Sequence, residues 1–107
     1  MIDIEQIREY ALQKLHVTEG FPFGDSTLVY KVNNKMFLLV SLDKIPMTIN
    51  LKCEPDKAIE QREDCPEIIL PGYHMNKKHW NTILVEGLQK NKLLELIDDS
   101  YNLVSKR

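Results

Sequence analysis

The chain has 107 residues, 43% of them hydrophobic and 28% charged, with a formal net charge of −2. That length suits one domain spanning residues 1–107 with a modest core, and the composition is that of a soluble globular protein. No apolar run approaches the roughly 18 residues of a membrane span, two cysteines are too few for a disulfide framework, and the acidic balance argues against holding polyanions by bulk charge alone.

The N-terminus, Met1-Ile2-Asp3-Ile4-Glu5, lacks the basic and apolar regions of a secretory signal. A cytoplasmic location is therefore expected, with Cys53 and Cys65 as free thiols. A helix is expected from Asp3 to about His16. Asp3 can cap it with Gln6 three residues on, as in a capping box, and Ile4, Ile7, Ala11 and Leu15 recur at helical spacing with Leu12 widening the stripe. Gly20 stops the pattern. In the irregular stretch Phe21-Pro22-Phe23-Gly24-Asp25-Ser26 the two phenylalanines are expected to anchor the core.

Two apolar runs, residues 27–32 and 35–40, flank Asn33-Asn34, a pair that tolerates the positive φ of a two-residue hairpin turn. Direct pairing from that turn sets Val32 opposite Lys35, Tyr30 opposite Phe37 and Leu28 opposite Leu39, with Val29 and Leu38 on the other face. After the turn Asp43-Lys44-Ile45-Pro46, residues 47–52 alternate: Met47, Ile49 and Leu51 point one way, and Thr48, Asn50 and Lys52 the other.

Pro55 suits the first turn of a second helix that ends near Cys65, before Pro66, with Ala58, Ile59 and Arg62 inward or along its edge. Its acids, Glu54, Asp56, Glu60, Glu63 and Asp64, read as a solvated face. Ile68-Ile69-Leu70 is a short strand, Pro71-Gly72 a turn, Met75 to His79 a single helical turn, and Trp80 to Val85 a strand broken by Gly87. From Asn91 to about Ser105 a last helix carries Leu93, Leu94, Ile97, Tyr101 and Val104. The order α-β-β-β-α-β-β-α, with strands joined partly by tight turns, implies an antiparallel α+β domain.

One segment stands apart. Pro71-Gly72-Tyr73-His74-Met75-Asn76-Lys77-Lys78-His79-Trp80-Asn81-Thr82 holds two of the three histidines, the single tryptophan and an adjacent lysine pair, with no acid. This segment, together with Phe21-Pro22-Phe23-Gly24, Asn50-Leu51-Lys52-Cys53-Glu54-Pro55, Arg62 and Ser100-Tyr101-Asn102-Leu103-Val104, resembles the signatures of the MmcQ/YjbR-like family over nearly the whole chain. The resemblance implies a CyaY-like, secretion-chaperone-like fold: a two-layer domain with one antiparallel sheet and its helices packed on one side. It also implies DNA binding through a double-wing arrangement, and no metal. The chain departs from the family pattern at Asp25, where a proline is frequent, and it closes on Ser105-Lys106-Arg107, where many members carry a Leu-Pro-Lys-like tail.

Lysines supply phosphate contacts and aromatic rings stack on bases. The candidate nucleic-acid contacts are therefore Lys52, Tyr73, His74, Asn76, Lys77, Lys78, His79 and Trp80, with Asn50, Lys31 and Lys35 nearby on the strands. So few lysines imply weak, salt-sensitive binding. Zinc is disfavoured: His74 and His79 have ligand spacing, but Cys53 and Cys65 are too far apart to form the paired half of a site. Cys65 as a nucleophile beside a histidine base has no activating neighbourhood, and there is no phosphate loop or nucleophile elbow. The expectation is a monomeric, non-enzymatic protein without metal or cofactor, away from membranes, with DNA as partner. The alternative is a chaperone-like protein-interaction module that uses Tyr73, Met75 and Trp80 as an anchor patch.

Overall fold

The capping box forms. Asp3 Oδ1 accepts from the Gln6 N–H at 2.9 Å, and Gln6 Oε1 accepts from the Asp3 N–H at 2.9 Å. It opens α1 (Ile4–Leu12), which buries Ile7 and Ala11. The computed structural model describes residues 2–73 and 75–106. In it α1 ends at Leu12, short of the expected His16. His16 adopts φ 63°, and Val17–Gly20 then form a strand, β1, that the sequence pattern had not suggested. As an edge strand with two exposed central residues, β1 carries no apolar alternation to read. Arg8 on α1 pairs with Glu19 of β1 at 2.9 Å.

The turn at Asn33 (φ 51°) and Asn34 (φ 67°) joins β2 (Thr27–Val32) to β3 (Lys35–Ser41), with Val32 opposite Lys35 as expected. Beyond it the expected register is off by one residue. Lys31 pairs with Met36, but Tyr30 pairs with Leu38 and Leu28 with Val40, so Phe37 is an extra residue in β3, a β-bulge. Phe37 therefore does not pair with Tyr30. It packs in the core edge-on against Tyr101, with ring centroids 5.4 Å apart. Leu38 and Val40 join the core, and Leu39, not Leu38, turns to the opposite face beside Val29.

β4 (Thr48–Lys52), β5 (Ile69–Pro71) and β6 (Trp80–Leu84) complete an all-antiparallel sheet in the order β1-β2-β3-β4-β6-β5. On the edge strand β5 the Ile69 N–H turns away from the sheet to the Cys65 carbonyl at 2.8 Å, and Pro71, two residues on, has no N–H. β6 ends at Leu84, one residue before the expected Val85, and Val85–Gly87 form a short 3₁₀ turn.

Three helices cover one face. α3 (Lys90–Ser105) lies over β3 and β4. It starts at Lys90 without a side-chain cap, one residue before the expected Asn91, and it buries Leu96 and Ser100 in addition to Leu93, Ile97 and Val104. α2 (Pro55–Asp64) starts at Pro55 and buries Ala58, while Ile59 is exposed. Asn81 of β6 donates to the Ala58 carbonyl at 3.3 Å and to Gln61 at 3.2 Å, which ties α2 to the sheet. α1 is tied to α3 through Asp98, which accepts from Tyr10 Oη at 2.8 Å and pairs with Lys14. The Lys14 ammonium lies 4.7 Å and 5.1 Å from the Tyr10 and Tyr101 ring centroids. No helix among the described residues is long and apolar enough to cross a membrane.

Among the described residues, the other face has no helix. Phe21 and Phe23, expected in the core, are 50% and 62% exposed, because the loop before β2 lies on this uncovered side, where no second layer can enclose them.

The bulge leaves the last rung between β3 and β4 open, and Ser100 fills it. Its hydroxyl donates to the Phe37 carbonyl at 2.6 Å and accepts from the Lys52 N–H at 3.0 Å, fully buried. Ser100→Ala removes both partners at once. It should cost about 1–3 kcal/mol in chemical denaturation. A loss under about 0.5 kcal/mol would mean the two backbone groups find other partners.

Candidate functional site

The basic and aromatic segment forms the β5–β6 loop, and it is held at several points. The Gly72 N–H donates to the Trp80 carbonyl at 2.9 Å. The Asn76 carbonyl accepts from His79 and Trp80 at 3.2 Å and 3.0 Å, one turn of helix-like backbone, while Asn76 Oδ1 accepts from the Lys78 N–H at 2.9 Å. Arg62 of α2 donates to the Lys77 carbonyl at 3.2 Å, and the Cys53 N–H donates to the His79 carbonyl at 2.7 Å. Gly72 is required by space: a Cβ there would lie 2.8 Å from Trp80 Cβ and 2.9 Å from its carbonyl oxygen.

Backbone anchoring leaves several side chains outward. Asn76, Lys77 and Lys78 are exposed, Tyr73 is 60% exposed, and Lys52 and His79 are half-buried. His74 lies outside the described residues. Trp80 is 6% exposed and packs with Val29, Leu39, Met36 and Met75, with the Lys52 ammonium 5.9 Å from its ring. It is a core residue of the open face, so any stacking on bases falls to Tyr73. The Lys44 ammonium lies 5.6 Å from the Tyr73 ring.

Tyr73, Met75 and Lys44, with Asp43, line a cleft of about 710 Å³ on the open face; Lys52, Lys77, Lys78 and His79 are not among its lining residues. Phe23 and Tyr73 stand at its walls, with Leu39, Asn50 and Thr82 on the strands beneath and Lys44 alongside. Registry places Leu39, Asn50 and Thr82 side by side across three strands. The Tyr73 N–H donates to Thr82 Oγ1 at 2.9 Å, and Thr82 in turn donates to Asn50 Oδ1. The polar alternation of β4 pointed to Asn50 and Lys52. Lys44 and Phe23 carried no such signal, since only the folded sheet brings them to this cleft.

Charge separates between the layers. The three helices carry nine acids against five bases, whereas the open face and its loops carry Lys31, Lys44, Lys52, Lys77 and Lys78 against Asp25 and Asp43. A second hollow, between β4, α2 and α3, holds Cys53. Burial, and then the nearby Asp99, push its thiol pKa up, which makes it a poor nucleophile at neutral pH. Cys53 and Cys65 are both free thiols, and no three metal-binding side chains gather among the described residues.

The YjbR family profile matches residues 12–103. The uncharacterized protein YbdF of Escherichia coli O157:H7 is 41% identical over 102 residues, which is 94% of this chain and 82% of YbdF. The uncharacterized protein YyaQ of Bacillus subtilis is 43% identical over 56 residues, 51% of this chain and 46% of YyaQ. Among solved structures, the Deinococcus radiodurans protein DR2400, a DUF419 domain, superposes with a TM-score of 0.94 at 38% identity, covering 100% of this chain and 81% of that one. A protein from Pseudomonas syringae gives a TM-score of 0.78 at 27% identity, covering 96% of this chain and 99% of its own.

The two aromatic residues of the loop should separate in a stability assay. Trp80→Ala should cost about 3–5 kcal/mol in chemical denaturation, whereas Tyr73→Ala should cost under about 1 kcal/mol. Trp80 emission in the native protein should be blue-shifted and poorly quenched by iodide. An emission maximum typical of water-exposed indole would contradict its burial.

Proposed function

The chain belongs to the YjbR family, and from that premise we propose that it is a non-enzymatic, monomeric cytoplasmic protein that binds nucleic acid, DNA first, through the open face of its sheet at the β5–β6 loop. The relatives named above are uncharacterized, so the reading rests on this chain's own surface. The observation that carries it is the charge separation: the uncovered face and its loops carry Lys31, Lys44, Lys52, Lys77 and Lys78 against Asp25 and Asp43, with Tyr73 exposed among them, and the helices carry an excess of acids. A polyanion meets attraction on the first face and repulsion on the second.

Each residue has a role in this reading. Lys77, Lys78 and Lys52 contact phosphates, and Lys44 does so next to Tyr73. Tyr73 stacks on a base. Trp80 supports the platform from below and keeps the loop close to the sheet. Asn76 and His79 shape the loop through their backbone groups, and Asn76 also through its side chain. A positively charged edge this small gives weak binding that salt abolishes.

A second reading, a protein-interaction module, is favoured by the exposed apolar rim: Ile45 is 99% exposed and Leu70 38%, in addition to Phe21 and Phe23. A purified stoichiometric complex that survives nuclease treatment would favour it.

Fluorescence anisotropy with labelled single-stranded and duplex DNA tests the nucleic-acid reading. Binding should weaken with salt, with a log–log slope of roughly −0.7 per phosphate contacted on a single strand. Lys77→Ala with Lys78→Ala should make the slope shallower by about 1–1.5. Absence of binding at low salt, or a slope unchanged in the double variant, would refute this function.

A further inference from the structure

Independently of the nucleic-acid reading, we propose that the hollow between β4, α2 and α3 is a second binding site, for a small phosphorylated ribose of the mononucleotide class. The hollow measures about 540 Å³, within the roughly 300–1,000 Å³ of small-molecule sites. It lies in the helical layer, whose helices carry nine acids against five bases. Its own charged lining leans the other way: Lys52, Lys57 and Lys106 against Glu54 and Asp99.

The lysines supply the anion end. Lys57 and Lys106 are exposed and Lys52 is half-buried, and among the described residues none of the three is held in an ion pair. A phosphate monoester carries about −1.5 to −2 charge at neutral pH, more than a single carboxylate, so several ammonium groups favour the phosphate. Cys53 adds no opposing charge, because burial, and then Asp99, raise its thiol pKa. Lys57 acts on the same thiol in the opposite sense. This ammonium and the Asp99 carboxylate therefore both stand within electrostatic reach of one point on the wall of the hollow.

The remaining groups suit a nucleoside. Asp99, also outside any ion pair among the described residues, can accept from ribose hydroxyls, the task an acidic side chain performs in dinucleotide sites. A bare phosphate would meet Asp99 and Glu54 only as like charges, whereas a ribose sets hydroxyl donors against them. Gln61 Oε1 accepts from Asn81 at 3.2 Å, so the Gln61 amide N–H groups are left to donate to a ligand. Asn102 brings both a donor and an acceptor to the lining. Leu51, Leu96 and Leu103 give an apolar surface on which the flat face of a base can rest.

The test is titration of the intact protein with adenosine monophosphate (AMP), followed by amide NMR and by alkylation with iodoacetamide read by peptide mass spectrometry. AMP should shift the signals of Lys52, Cys53, Lys57 and Asp99. It should slow alkylation of Cys53 but not of Cys65, which lies outside the lining of the hollow. Lys57→Ala with Lys106→Ala should weaken AMP binding about tenfold or more, and adenosine, which lacks the phosphate, should bind the native protein more weakly by a similar factor. The native protein should bind AMP about threefold to tenfold more tightly than the dideoxy analogue, which lacks both ribose hydroxyls, and that ratio should fall to about one in Asp99→Ala. Absence of AMP binding, shifts confined to Leu39, Asn50 and Thr82 on the open face, an unprotected Cys53, or an affinity unchanged in the double lysine variant would overturn the site. Inorganic phosphate binding as tightly as AMP, or equal affinity for AMP and its dideoxy analogue, would overturn the ribose assignment and leave only an anion site. Lys57, Lys106 and Asp99 are exposed, so the variants should fold, and thermal melting checks this. The adenosine and dideoxy comparisons need no variant at all.

Discussion

A single extra residue in β3 decides what each face of this sheet is. Side chains alternate along a strand, so a slip of one residue exchanges the two faces. Without the bulge at Phe37, Leu28 would face Leu39, and Leu38 and Val40 would lie on the uncovered side. With it, Leu38 and Val40 enter the helical core, and Leu39 and Ser41 face out beside Asn50 and Thr82. A bulge leaves backbone groups without ladder partners. The buried hydroxyl of Ser100 takes up two of them. The open face thus owes its mixed polarity to one inserted residue and one serine on the opposite layer.

The same division governs the charge. The helices hold the apolar core on one side and present their acids to solvent on the other. The sheet's second face has no such cover, and its own small cluster of Val29, Leu39, Trp80, Met36 and Met75 supports the β5–β6 loop. Trp80 is central to that support. It leaves so little room above Gly72 that a side chain there would collide with it, and the loop is drawn down onto the strand. The neighbouring Tyr73 then projects over the cleft with its N–H fixed on Thr82.

Much of this architecture could be read from local chemistry. Asp3 with Gln6, Asn33-Asn34 and Pro55 each satisfy a backbone requirement that few other residues meet, and each stands where the sequence placed it. The alternation of β4 gave its polar face, because that strand is straight and has neighbours on both sides. Features that depend on partners distant in sequence were not legible. The bulge at Phe37 is stabilised by a serine 63 residues away. β1 is a strand only because β2 lies beside it. Phe21 and Phe23 have the composition of core residues and lack only a layer to cover them. The candidate site divides the same way: the loop lysines and Tyr73 could be picked out from the sequence, whereas the cleft that Tyr73 lines needs Asn50, Thr82 and Lys44 brought together from three separate segments.

The two rims of the sheet differ in a way that bears on how copies of this protein meet. An exposed strand with free amide donors is a template on which another chain can add a strand. β5 offers little of this kind. Its outward Ile69 N–H is already bonded to Cys65, and at Pro71, the next outward position, there is no donor. Edge-to-edge growth from that side is therefore blocked by covalent chemistry and a local bond rather than by charge. Polymerisation by strand addition would have to begin at β1, the far rim from the lysine loop, and the cleft on the uncovered face would stay open to solvent.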